Sequence, residues 1–110
     1  MEKRFVRARA LEALAESTPL GVEINGLPVL LCRVGERVHA VIDRCPHAMA
    51  RLSAGRVRRG RVSCPLHGAW FDLENGRCIG GSYSSLRVFE VRIVDGWVEV
   101  SVPDGRASCP

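Results

Sequence analysis

No stretch of this 110-residue chain holds an apolar run of the length that a membrane-spanning helix needs. The N-terminal segment MEKRFVRARALEALAES is basic, but no uninterrupted apolar stretch and small-residue cleavage site follow, so it does not read as a secretory leader. The expectation is a water-soluble protein of the cytoplasm, without a membrane partner. Aromatic residues are scarce, with two Trp, one Tyr and three Phe, and none stands inside the basic run RVRRGR, where Arg56, Arg58, Arg59 and Arg61 cluster. Single strands of nucleic acid are held by bases stacked on aromatic rings along a cationic groove. The net charge of +4 therefore reads as the solvated charge of a turn-rich hairpin, and no nucleic-acid partner is expected. A Gly-rich dinucleotide fingerprint after a strand is absent too, which assigns flavin or nicotinamide chemistry to some other protein.

Hydrophobic residues make up 46% and charged residues 25%, an ordinary soluble composition, and the length fits one core, so residues 1–110 read as a single domain. From Leu20 onward, short β-rich runs alternate with turn signals: PLGVEI, Asn25-Gly26, LPVLLCRV, Gly35-Glu36, RVHAVI. Near the other end LRVFEVRIV and WVEVSV flank Asp95-Gly96, with Phe89, Val91 and Ile93 on one face at period two. Helix-forming residues stand in series only in ALEALAES, and Pro19 limits that segment to one or two turns. The expected fold class is all-β, a small antiparallel β sandwich or barrel. The tail PDGRASCP reads as frayed.

Between the two β-rich halves, residues 45–68 are richer in Gly, Pro and Arg, the composition of loops that carry function. Five cysteines in a reducing compartment point to thiols or metal ligands rather than a disulfide framework. Four chemistry-bearing residues fall into two pairs: Cys45 and His47 in C-x-H, then, after sixteen intervening residues, Cys64 and His67 in C-x2-H. Two thiolates and two neutral imidazoles suit structural zinc, a copper site or an iron–sulfur cluster. Zinc fingers usually group cysteines in one knuckle and histidines in the other, whereas each loop here contributes one of each. Such mixed loops suit two metals better than one, because each loop can give its cysteine to one iron and its histidine to the other.

The pattern Cys45-Pro46-His47, sixteen residues, Cys64-Pro65-Leu66-His67-Gly68, then Trp70-Phe71-Asp72, Gly80-Gly81 and a closing strand hairpin, resembles the Rieske [2Fe-2S] proteins. Within that family ARLSAG looks most like the small ferredoxins of bacterial aromatic ring-hydroxylating dioxygenases. The resemblance spans the chain from the early strands through Val102 and implies a cluster-binding subdomain of two loops within residues 43–85. It implies that Cys45 and Cys64 hold the inner iron and His47 and His67 the outer one, near the surface. Respiratory members carry an extra cysteine in each loop and Ser and Tyr donors toward the cluster sulfurs; here Ala50 and Leu66, Ala69 and Phe71 stand in those places. The missing donors imply a low-potential member.

Three histidines leave only His39 after the ligand pairs, so the mononuclear iron site of a catalytic Rieske oxygenase cannot be assembled from this chain. The resemblance thus implies no enzyme but a monomeric carrier of single electrons from a flavin-dependent ferredoxin reductase to a terminal ring-hydroxylating oxygenase. Competing readings are an electron-transfer subunit of a monooxygenase or nitrite reductase complex, and a zinc-stabilised binding module. Among the remaining residues, His39 and Cys32 read as structural, and Trp70 and Phe71 as packing under the second loop. Met49 and Leu66 read as an apolar docking rim, and Cys109 as a tail thiol open to oxidation.

Overall fold

The sheet registers follow from two-residue turns whose backbone few residue types adopt. In the computed structural model, which describes residues 4–46, 50–66, 68–80 and 83–102, the turns Asn25-Gly26 and Asp95-Gly96 both take positive φ at both positions. That conformation matches the right-handed twist of flanking strands and suits Asn, Asp and Gly. The first turn joins β2 (Leu20–Ile24) to β3 (Leu27–Val34), and the second joins β9 (Val88–Val94) to β10 (Trp97–Ser101). Gly35-Glu36 leads from β3 into β4 (Arg37–Ile42). Every hairpin expected from the sequence is present, and the all-β class is observed.

A strand at the N-terminus was not expected. β1 (Phe5–Ala10) pairs antiparallel with β10, slipping register between Arg7 and Arg9. Its signal was available in FVRARA, where Val6 and Ala8 alternate with Arg7 and Arg9. The first sheet runs β1-β10-β9-β4-β3-β2, and β1 comes back alongside β2, so that the sheet nearly closes on itself. The second sheet is smaller: β5 (Val57–Arg58), β6 (Arg61–Ser63), β7 (Trp70–Asp72) and β8 (Cys78–Ile79) in chain order. The RVRRGR run is the β5–β6 hairpin, as its composition suggested, with Arg59-Gly60 at its turn.

β3 lies between two cores and is buried on both faces. Val29 and Leu31 point into the barrel with Leu14, Ile24, Phe89, Val98 and Val100. Leu30 and Cys32 point the other way, toward Val62, Phe71 and Leu73 under the small sheet. Each fully buried side chain of this size contributes about 1.5–3 kcal/mol relative to exposure, so β3 ties both sheets to one strand. Among the described residues no helix is long and apolar enough to cross a membrane.

One local expectation is met at its short limit and another shifts under tertiary forces. The helix-forming segment makes a single 3-10 turn, Leu11–Ala13. Beyond it the chain extends: Leu14 is drawn into the barrel core, Ser17 donates its N–H to the Arg33 carbonyl at 2.8 Å, and the Glu16 carboxylate accepts the Gly35 N–H. These contacts outweigh a propensity of a few tenths of a kcal/mol per residue. On β9, Phe89 reaches the core, whereas Ile93 is 43% exposed. β4 pairs with β9 at Ala40–Phe89 and Val41–Val88, and Ile93 lies beyond that ladder, although its partner Val98 on β10 is fully buried. The tail 103–110, with Cys109, lies outside the described residues.

The close approach of chain segments under the small sheet yields a stability test. A Cβ on Gly55 would lie 1.8 Å from the Ser63 carbonyl oxygen, a backbone atom that cannot swing aside. Gly55→Ala is expected to cost roughly 3 kcal/mol, lowering the thermal midpoint by about 10 °C or more for a domain of this size. A change of only a degree or two would show that residues 55 and 63 separate freely.

Candidate metal centre

Two loops converge on the core beneath the small sheet, and their backbones close in the same way. β6 ends at Ser63, and the chain passes through Cys64 and returns as β7 with Ser63 opposite Trp70. Inside that hairpin loop the Cys64 N–H donates to the Ala69 carbonyl at 2.8 Å, and the Gly68 N–H donates to the Cys64 carbonyl at 2.9 Å. Gly68 has φ +71, the left-handed region that this tight return requires. In the first loop, which follows β4, the Cys45 N–H donates to the Ala50 carbonyl at 3.0 Å. Each cysteine is thus bonded to the alanine five residues on, and each closed loop contains in its sequence the histidine of its pair.

The cysteines sit at the bases of these loops, 2% exposed for Cys45 and 1% for Cys64, within one apolar cluster with Leu30, Leu52, Val62 and Phe71. Ala50, Ala69 and Tyr83 pack against the same cluster, half-buried. The sequence pattern is therefore realised as two thiols, nineteen positions apart in the chain, brought to one dry wall. His47, His67 and Met49 lie outside the described residues, and among those described no three His, Cys, Asp or Glu side chains form a metal site. Leu66, at the tip of the second loop, is 70% exposed, as the apolar rim requires.

The second loop is held by the β6–β7 ladder, whereas the first has no ladder across its base. A carboxylate stands in its place. Asp43, buried at 1% exposure, accepts the Ser53 N–H at 2.7 Å and the Ser53 hydroxyl at 2.6 Å, and its own N–H donates to the Pro28 carbonyl at 2.9 Å. Ser53 belongs to the 3-10 turn Leu52–Ala54 that follows the loop. Neither residue was singled out from the sequence. The available signal was an aspartate ending the otherwise apolar strand run RVHAVI two positions before the first cysteine.

Of the remaining sequence-nominated residues, Cys32 and Phe71 belong to the same buried cluster as the two cysteines. Cys32 is fully buried on β3, and burial, with Glu16 second, pushes its thiol up to about 11, so it stays protonated and inert. Cys78 is half-buried on β8. Phe71 is fully buried, and Trp70 stands on the outer face of the small sheet beside Ile79, Arg58, Arg59 and Arg61. Packing accounts for Phe71 as expected. His39 stands on β4 opposite Cys32, with Glu74, Arg37 and Asp72 as its charged neighbours.

Comparison with known proteins agrees with this geometry. The family model described as the Rieske [2Fe-2S] domain matches residues 4–90. The anthranilate 1,2-dioxygenase ferredoxin subunit of Burkholderia cepacia is 38% identical over 95 residues, covering 84% of this chain and 87% of that protein. The ferredoxin of carbazole 1,9a-dioxygenase from Nocardioides aromaticivorans superposes with a TM-score of 0.86 at 26% identity, over 90% of this chain and 98% of that one. A chain from a complex of reduced oxygenase and oxidized ferredoxin in carbazole 1,9a-dioxygenase superposes with a TM-score of 0.81 at 30% identity, over 87% of this chain and all of that one.

His39 provides a pH test independent of the loops. Burial, the largest influence, holds its imidazole below the ordinary value of 6.5; Glu74 and Asp72 oppose the shift and Arg37 adds to it. The unfolded chain therefore binds the proton more readily than the native one, so this contribution is complete above pH 6.5 and is lost as the pH falls below it. His39→Gln is expected to flatten the fall in thermal midpoint between pH 7 and pH 5 relative to the parent protein. Parallel curves for the two proteins would mean that His39 titrates alike in both states.

Proposed function

The chain belongs to the Rieske [2Fe-2S] domain family, and on that footing we propose that Cys45 and Cys64 bind one iron through their thiolates and His47 and His67 the other through their imidazoles. The observation that carries this reading is the pair of buried cysteines at the bases of two identically closed loops, each loop containing one histidine in its sequence. The donor chemistry fits, since thiolates and neutral imidazoles in a two-and-two set are what a Rieske cluster takes. When bound, the cluster supplies reversible one-electron transfer.

The chain's own residues set how that transfer works. Leu30, Leu52, Val62 and Phe71 wall the cysteine side off from water, while Leu66 reaches solvent from the loop that contains His67. Neutral imidazoles in place of two thiolates make the centre less negative and raise its potential above that of four-cysteine clusters. Ala69 and Phe71 offer no hydroxyl to the sulfurs, which keeps the potential toward the lower end of the roughly −150 to +300 mV range of Rieske centres. The protein is an electron-transfer component, not an enzyme in its own right, as the ferredoxin names of its relatives indicate.

The physiological role that follows is to carry single electrons from a flavin-dependent ferredoxin reductase to the terminal oxygenase of an aromatic ring-hydroxylating system. In this role the protein works as a monomer, one domain spanning 1–110, in the cytoplasm, a reducing compartment suited to the thiols of Cys32 and Cys78. The support for an oxygenase partner is that relatives of the same fold are ferredoxin components of dioxygenases, one of them solved in complex with its oxygenase.

Freshly purified protein is expected to be red-brown, with two irons and two acid-labile sulfides per chain and an iron–sulfur EPR signal on reduction. Cys45→Ser and Cys64→Ser should each lose the colour, and His67→Cys, where iron is retained, should lower the midpoint by adding negative charge at the imidazole side. Zinc without inorganic sulfide in the parent protein would overturn the reading. Retained colour in a serine variant would remove that cysteine from the ligand set.

A further inference from the structure

The first ligand loop is bracketed by a buried ionic clamp that the second lacks. Asp43 leaves β4 just before the loop and Ser53 stands just after it, so the two bonds between them, 2.7 and 2.6 Å, pinch the chain at its base. In both bonds Ser53 donates and the carboxylate accepts. Residue 21 in β2 passes directly over the pair: a Cβ on Gly21 would lie 2.7 Å from Asp43 Oδ2 and 2.8 Å from Ser53 Oγ. Glycine at that position is what leaves room for the clamp.

The same arrangement buries a carboxylate two residues from Cys45 in the chain. Two residues of chain reach at most about 7 Å, so the Asp43 backbone lies within that distance of Cys45. Asp43 shares a recess with Arg44, Arg51 and Glu23, whose side chains are exposed, whereas its own carboxylate is buried. A buried charge is screened much less than surface charges. A fixed anion beside a redox centre disfavours the added electron.

We propose that Asp43 is a positioning residue with an electrostatic function: through Ser53 it holds the loop that contains Cys45 and His47, and its buried carboxylate lowers the reduction potential of the centre. The hydroxyl of Ser53, donating to that carboxylate, offsets part of its field. This rests on the reading of Cys45 as an iron ligand. It adds a cause of low potential separate from the missing hydroxyl donors at Ala69 and Phe71.

The test uses the intact protein carrying its cluster, with midpoints measured by spectroelectrochemistry at fixed pH and salt, and loss of visible absorption followed under a chelator. Asp43→Asn keeps an acceptor for the Ser53 N–H but removes the charge, and its midpoint should rise. Ser53→Ala removes the compensating hydroxyl donor and keeps the charge, so its midpoint should shift by a smaller amount in the opposite direction. Gly21→Ala, which touches neither partner's chemistry but intrudes on both, should bleach several-fold faster than the parent, as should Asp43→Ala. If Asp43→Asn does not fold, the downward shift in Ser53→Ala decides the electrostatic part. An unchanged or lowered midpoint in Asp43→Asn, no shift in Ser53→Ala, or parent-like bleaching in both Gly21→Ala and Asp43→Ala would overturn the corresponding half of the proposal. Failure of the ligand reading would look different, because the parent protein itself would then lack the iron–sulfur signal.

Discussion

The burial of two thiols against one apolar wall is the constraint from which the rest of the molecule follows. Cys45 and Cys64 belong to loops in different parts of the fold, and neither loop has a core of its own. Both are set on the same cluster of Leu30, Leu52, Val62 and Phe71, and both are closed by the bond from the cysteine N–H to the alanine carbonyl five residues on. An unpaired buried N–H is costly, so this closure satisfies a donor that the cysteine would otherwise bury, and at the same time sets the direction of the side chain.

The two loops reach this common closure by different means. The second is the end of a hairpin, and its base is held by the β6–β7 ladder at Ser63 and Trp70. The first is an excursion from β4, and the carboxylate of Asp43 does for it what backbone pairing does for the second. The small sheet is thus an outgrowth of the barrel, joined to it through the second face of β3, where Leu30 and Cys32 point away from the barrel interior. Burial on both faces explains why β3 reads as a continuous apolar run rather than an alternating one.

Turns were the most legible feature of the chain, because a positive φ at two successive residues selects so few side chains that Asn25-Gly26 and Asp95-Gly96 could be read directly. The paired Cys and His stood out for a similar reason, since the same two residue types recur together at short spacing in two places. β1 was harder: its arginines drew attention to charge, and its partner β10 is nearly the whole chain away. The ALEALAES segment was legible too: it keeps one 3-10 turn, the short limit of what its composition and Pro19 allow, because Leu14 and Glu16 have distant partners to meet.

By itself the sequence determined the paired Cys/His pattern, the hairpin turns and the β class, all of which depend on residue identity at short separations. Only the tertiary structure decided that the two cysteines share one dry wall, that Asp43 meets Ser53, and that Gly21 must stay bare above them. Those facts are contacts between residues of different strands and loops. They are selected by how whole elements pack, which no local spacing encodes.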